Sequence, residues 1–210
     1  LGLTEAAATA LYGEYTFGMT LFNLPSSFIY PVTISLIPAI GAALARREEE
    51  TARSQTETAF RVTALLAFPA GVGLSVLARP ILALMNTKPE LIDGAVLYLR
   101  IYFLGMPASM VYNFGAALLR AVGDTRRPLY YLTASGFVNV GLNLIFVIIF
   151  HMDVAGVALA TVIAQCISAG LVVWCMMRES GGVHLDLRAL RIYKVRLKQI
   201  LQVGLPAGLQ

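Results

Sequence analysis

Charged residues divide the chain into long apolar runs. Five of them matter, at 15–45, 62–78, 101–119, 128–150 and 154–177, with lengths of 31, 17, 19, 23 and 24 residues. A helix needs roughly 20 apolar residues to cross a hydrocarbon layer about 30 Å thick. The pattern therefore predicts membrane-spanning helices over about 15–45, 62–85, 97–120, 128–151 and 154–177. The second extends past Arg79 if that guanidinium snorkels to the interface. The first run is longer than one crossing needs and holds Pro25, Pro31 and Pro38. A long, kinked helix is expected there, its freed carbonyls satisfied by neighbouring helices. Residues 200–210, with Gly204, Pro206 and Gly208, read as the first turns of a sixth span that is cut off. Together with the missing methionine at position 1, this suggests a fragment.

Composition sharpens the class. The chain of 210 residues is 58% hydrophobic and only 13% charged, against about 25% charged in soluble globular domains. The expectation is an all-α, polytopic membrane bundle whose first partner is the lipid bilayer. Alternating spans sort the cations onto two sides. Arg46, Arg47, Arg53 and Arg61 join spans one and two, and Arg120, Arg126 and Arg127 join spans three and four. Arg178, Arg188, Arg191, Lys194, Arg196 and Lys198 follow span five, which leaves only Arg79, Lys88 and Arg100 on the other side. The positive-inside rule makes the basic loops cytoplasmic in a cell (plasma) membrane. The net charge of +4 then reflects topology and gives no reason to expect a nucleic-acid partner. The domain reading is a helical bundle over 1–178, a linker over 179–199 and the start of a further helix over 200–210. Within the linker, residues 186–199 mix apolar and cationic positions, as either an interfacial amphipathic helix or a plain basic connection would. Cys166 and Cys175 are roughly 13 Å apart on a helix and cannot bridge each other.

Enzyme signatures are missing, and no catalytic or metal-binding residue is assigned. There is no glycine-lysine phosphate loop, no His-Glu-x-x-His, no Cys-x-x-Cys and no Gly-x-Ser-x-Gly. What remains is uncharged polarity inside the spans, where side chains must either bond across helices or line a wet path. Asn139 and Asn143 stand at i and i+4 on one face of span four. Thr161, Gln165 and Ser168 form a similar stripe on span five. Gly156, Ala160 and Ala164 have the small-residue spacing of close helix packing, and core packing is the expected role of Tyr112 in span three. Nearly every carboxylate falls outside the spans, and Glu14, at the mouth of the first, is the only one placed to reach inward as a coupling carboxylate. Tyr98, Tyr102, Tyr130, Tyr131 and Trp174 fit interfacial aromatic belts.

Several strings carry a family resemblance. They are Tyr-Leu-Arg-Ile-Tyr-Phe-Leu-Gly-Met-Pro at 98–107, Leu-Leu-Arg-Ala-Val-Gly-Asp-Thr-Arg-Arg-Pro at 118–128, Asn-Val-Gly-Leu-Asn at 139–143 and Gly-Val-Ala-Leu-Ala-Thr-Val-Ile-Ala-Gln at 156–165. Residues 81–210 resemble multidrug and toxic compound extrusion (MATE) transporters. Residues 9–84, with Leu-Tyr-Gly-Glu-Tyr, Phe-Asn-Leu-Pro, Ser-Leu-Ile-Pro-Ala-Ile and Pro-Ala-Gly-Val-Gly-Leu, are more similar to flippases of lipid-linked oligosaccharides and peptidoglycan precursors in the same superfamily. The chain thus reads as a mosaic joined near 84–87.

The resemblance implies a partial N-terminal-type lobe of a secondary transporter. It implies export of small amphipathic or cationic substrates by alternating access, coupled to Na+ or H+ and without another cofactor. The alternative is a flippase. A second lobe would come from the rest of a full-length chain or from a second copy. Asn139, Asn143, Thr161 and Gln165 carry over as candidates for the substrate pathway.

Overall fold

The computed structural model describes residues 38, 40–84, 89–179 and 183–185. Four long helices account for most of them: α1 (Glu49–Leu84), α2 (Pro89–Ala121), α3 (Arg126–Leu144) and α4 (Asp153–Arg178). A single π-helical turn, Ile145–Ile149, extends α3. No strand occurs among the described residues. All four helices are long and apolar enough to cross a membrane, so the chain is a multi-pass membrane protein built as an all-α bundle. The expected first span is described only at residues 38 and 40–45. The expected start of a sixth span, residues 200–210, lies outside the described residues.

The largest departure from the sequence reading is at α1, which begins at Glu49 rather than near residue 62. Its 36 residues span about 54 Å at 1.5 Å each, well beyond the hydrocarbon layer. The charged stretch read as a connecting segment supports helix for three reasons. Residues 49–68 contain neither glycine nor proline, Glu49 and Glu50 complement the positive helix start, and Arg53 Nε donates to Glu57 Oε1 one turn on, at 3.0 Å. These turns are also packed. Thr56 and Thr58 are buried, and Ala59 and Phe60 join a core with Phe114, Leu118 and Leu119 of α2 and Val172, Cys175 and Met176 of α4. Leu185 joins it, held by its amide donating to the Met176 carbonyl at 3.2 Å. The described part of the expected linker therefore folds back onto the bundle.

Helix packing follows from small residues and displaced hydrogen bonds. Pro107 inside α2 has no amide hydrogen and so frees the carbonyl of Phe103 four residues earlier. Gly71 of α1 covers that oxygen, so closely that a Cβ at position 71 would lie 2.5 Å from it. A weak Cα–H donor is thereby brought to an orphaned acceptor in a setting where water cannot serve. The α2–α4 contact also relies on glycine, here to admit a branched side chain, with Gly105 against Val162 and Gly115 against Val172. Gly156, Ala160 and Ala164 are buried along α4 as their spacing predicts. The chain leaves α2 through Gly123, whose φ of +89° suits the left-handed residue that ends many helices. It then enters α3 with Asp124 capping the amides of Arg126 and Arg127 at 3.2 and 3.1 Å.

Helix α3 differs from its neighbours. It packs mainly along α4 and barely touches α2. Phe137 remains 76% exposed and Val140 59%. An apolar outer face of this kind suits hydrocarbon rather than water.

Candidate functional site

Polar side chains from three helices meet at one place. A cavity of about 390 Å³ is bounded by Ser109, Tyr112 and Asn113 of α2, by Leu132, Ser135, Gly136 and Asn139 of α3, and by Thr161, Ala164, Gln165 and Ser168 of α4. The helical period explains the convergence. Ser109 with Asn113, Ser135 with Asn139, and Thr161 with Gln165 each stand four residues apart, so each helix presents one polar stripe. The residues lining the cavity include no acid and no base.

A hydrogen-bonded relay runs along one wall. Asn143 Nδ2 donates to Asn139 Oδ1 at 3.0 Å. Asn139 Nδ2 makes a long contact of 3.5 Å to Thr161 Oγ1, and Thr161 Oγ1 donates to the Val157 carbonyl at 2.9 Å. Gln165 shares a side-chain hydrogen bond with Tyr102, yet its Oε1 is buried without a partner. The same holds for Asn143 Oδ1. A buried acceptor without a donor is destabilising by about 1–3 kcal/mol; Gln165 Oε1 lies against α2, where a Cβ at position 105 would stand 3.1 Å from it.

Three of the four predicted pathway residues, Asn139, Thr161 and Gln165, thus line one cavity. Asn143 sits one turn further along α3 and supports Asn139 rather than facing the space. Glu14 lies outside the described residues. Ser109 and Ser135 were missed by sequence reasoning, although each stands four residues before an asparagine on the same stripe. Tyr112 both packs against the core and lines the cavity, and its hydroxyl donates to the Pro128 carbonyl at 2.9 Å.

The arginine-rich end of the bundle is closed by ion pairs. Arg127 Nε bonds Asp124 Oδ2, while its Nη1 reaches Glu179 Oε1 at 2.5 Å and Cys175 Sγ at 3.2 Å. Partial burial pushes the Asp124 carboxyl upward. The backbone and guanidinium of Arg127, with the amide of Arg126, outweigh that effect and hold it below the ordinary value. Farther along the bundle, Arg79 pairs with Asp93 at 2.9 Å, joining α1 to α2 at the arginine-poor end.

Comparison with known proteins places this geometry. A family model described as "Lipid II flippase MurJ" matches residues 3–209. The chain belongs to the MurJ family. Two curated Bacillus subtilis proteins are similar to it. The "Probable multidrug resistance protein YoeA" is 27% identical over all of this chain and 45% of its own length. The "Probable multidrug resistance protein YpnP" is 31% identical over 64% of this chain and 30% of its own. Among solved structures, a MATE transporter "in the bent conformation" superposes with a TM-score of 0.82 at 22% identity, over 93% of this chain and 44% of that one. The family fold is therefore present here. The chain spans less than half the length of the relatives described here. Both the MurJ match and the YoeA match extend to either side of residues 84–87.

Proposed function

We propose that this chain forms one lobe of a secondary active transporter that exports amphipathic or cationic drugs by alternating access, driven by Na+ or H+. The observation that carries the reading is the uncharged, hydrogen-bonding cavity lined by three largely apolar helices. It provides a wet recognition surface at membrane depth with no strong charge to trap a substrate. Asn139, Thr161, Gln165 and the supporting Asn143 form the pathway wall. Glu14 is the candidate coupling carboxylate. The names of the multidrug resistance relatives support the substrate class. In this reading the arginine-rich end faces the cytoplasm of a cell membrane, and a second lobe, from further chain or a second copy, completes the path.

A second reading, flipping of lipid-linked oligosaccharides, is favoured by the MurJ match over nearly the whole chain. Counterflow in proteoliposomes separates the two. Efflux of a fluorescent organic cation that follows an imposed Na+ or H+ gradient supports drug export. Gradient-independent movement of a labelled lipid-linked sugar, with no cation efflux, replaces that reading by the second.

A further inference from the structure

Resting on the transport reading, we propose that Arg127–Glu179 and Tyr112–Pro128 form a two-part latch that closes the arginine-rich end of the cavity. Release of the latch admits substrate from that side. The first part is the floor of the cavity itself. Tyr112 lines the space, and its hydroxyl donates to the carbonyl of Pro128 at 2.9 Å, tying α2 to the first turn of α3. The second lies beyond it, where the Arg127 guanidinium ties the same turn of α3 to Glu179 at the end of α4. The first tie matters because α3 has little other hold on α2; the second fixes the start of α3 on the helix it packs along, and the outer face of α3 meets only material as apolar as itself. Backed by α4 and with an oily outer face, α3 can shift against α2 when those contacts break.

The chemistry suits a contact that opens and recloses. Arg127 is 46% exposed and Glu179 24%, so separation strands neither charge in an apolar interior. Asp124 stays bonded to Arg127 from within the same turn through both its guanidinium and its amide. The arginine therefore keeps a carboxylate partner when it leaves Glu179, which makes the α4 tie the exchangeable one. Cys175 adds only a weak acceptor to the same guanidinium.

The test places a reporter cysteine at Ser168 on the cavity wall, in a background of Cys166→Ser and Cys175→Ser, the latter keeping an acceptor for Arg127. The intact protein is labelled with a membrane-impermeant maleimide in inside-out and right-side-out vesicles. Glu179→Gln and, separately, Tyr112→Phe are expected to raise labelling from the arginine-rich side by roughly three- to tenfold without raising it from the other side. Tyr112→Phe removes one oxygen, so it carries the test if Glu179→Gln folds poorly. Unchanged labelling from the arginine-rich side in both variants, with the reporter still reached from the opposite side, overturns the latch and leaves the transport reading standing. A reporter unlabelled from either side in every variant overturns the pathway reading, and the latch with it.

Discussion

Two glycines two residues apart on α1 should respond oppositely to the same substitution. In Gly71→Ala the new methyl would stand 2.5 Å from the Phe103 carbonyl oxygen, against an ordinary C···O approach of about 3.3 Å. Because the obstacle is backbone, no rotamer change relieves it, and α1 must retreat from α2 by roughly 0.8 Å. A gap of that size forfeits a quarter to a half of each contact it opens. Overpacking at a rigid site costs about 1–3 kcal/mol, and the upper end applies here. Alanine recovers about 1 kcal/mol through helix propensity, leaving a net loss of about 2 kcal/mol. Gly73→Ala has nothing within 4 Å of its new methyl, so only the propensity gain of up to about 1 kcal/mol remains. The two variants should therefore differ by about 3 kcal/mol, or roughly 6–12 °C in midpoint for a chain of this size. The assay is the fraction of monodisperse protein after a heating series in mild detergent. Equal midpoints for the two variants, or a more stable Gly71→Ala, would refute the close α1–α2 approach.

Three further outcomes follow from the same geometry. Asn139→Leu should reduce transport at least about tenfold, a barrier change of roughly 1.4 kcal/mol, while the melting midpoint stays within a few degrees. A proportional loss of folded protein would instead mark the asparagine as structural. Asp124→Ala removes the cap of α3 and should lower stability by about 1 kcal/mol near neutral pH. Since the Asp124 carboxyl is held below its ordinary 3.8, that contribution is present above the ordinary value and fades as pH falls through the lower folded one. The midpoint gap between wild type and variant should therefore narrow in acid, and a gap that widens there contradicts the assignment. At His151, where φ is +51°, glycine should be at least as stable as histidine and valine less stable by about 1 kcal/mol or more. Melting midpoints of the two variants give the order.

Much of the architecture was legible because lipid imposes a simple rule on length and polarity. Helices α3 and α4 lie close to the stretches read from the sequence, whereas α2 begins at Pro89, eight residues before its expected start at 97. The first turns of α1 were not legible, because Arg53, Glu57 and Arg61 resemble a solvated connection in sequence. Only the fold reveals that Phe60 on those turns packs against Phe114, with ring centroids 6.4 Å apart. The cavity wall was half legible. Asn139 and Asn143, four residues apart, advertised a stripe, but nothing in the chain distinguishes the residue that faces the space from the one that braces it. The Arg127 bridge was the least visible. Asp124 and Arg127 are neighbours on one turn, whereas Glu179 and Tyr112 reach that turn from distant points of the chain through helix packing.

The most direct test of the account compares two faces of α3. Single cysteines at Asn139 and, across the cavity, Gln165 should react with a water-soluble maleimide and be protected by a transported substrate. Cysteines at Phe137 and Val140, on the outer face, should react only with lipid-soluble reagents. Equal reactivity at all four positions, or water-soluble labelling confined to 137 and 140, would contradict a wet path among α2, α3 and α4.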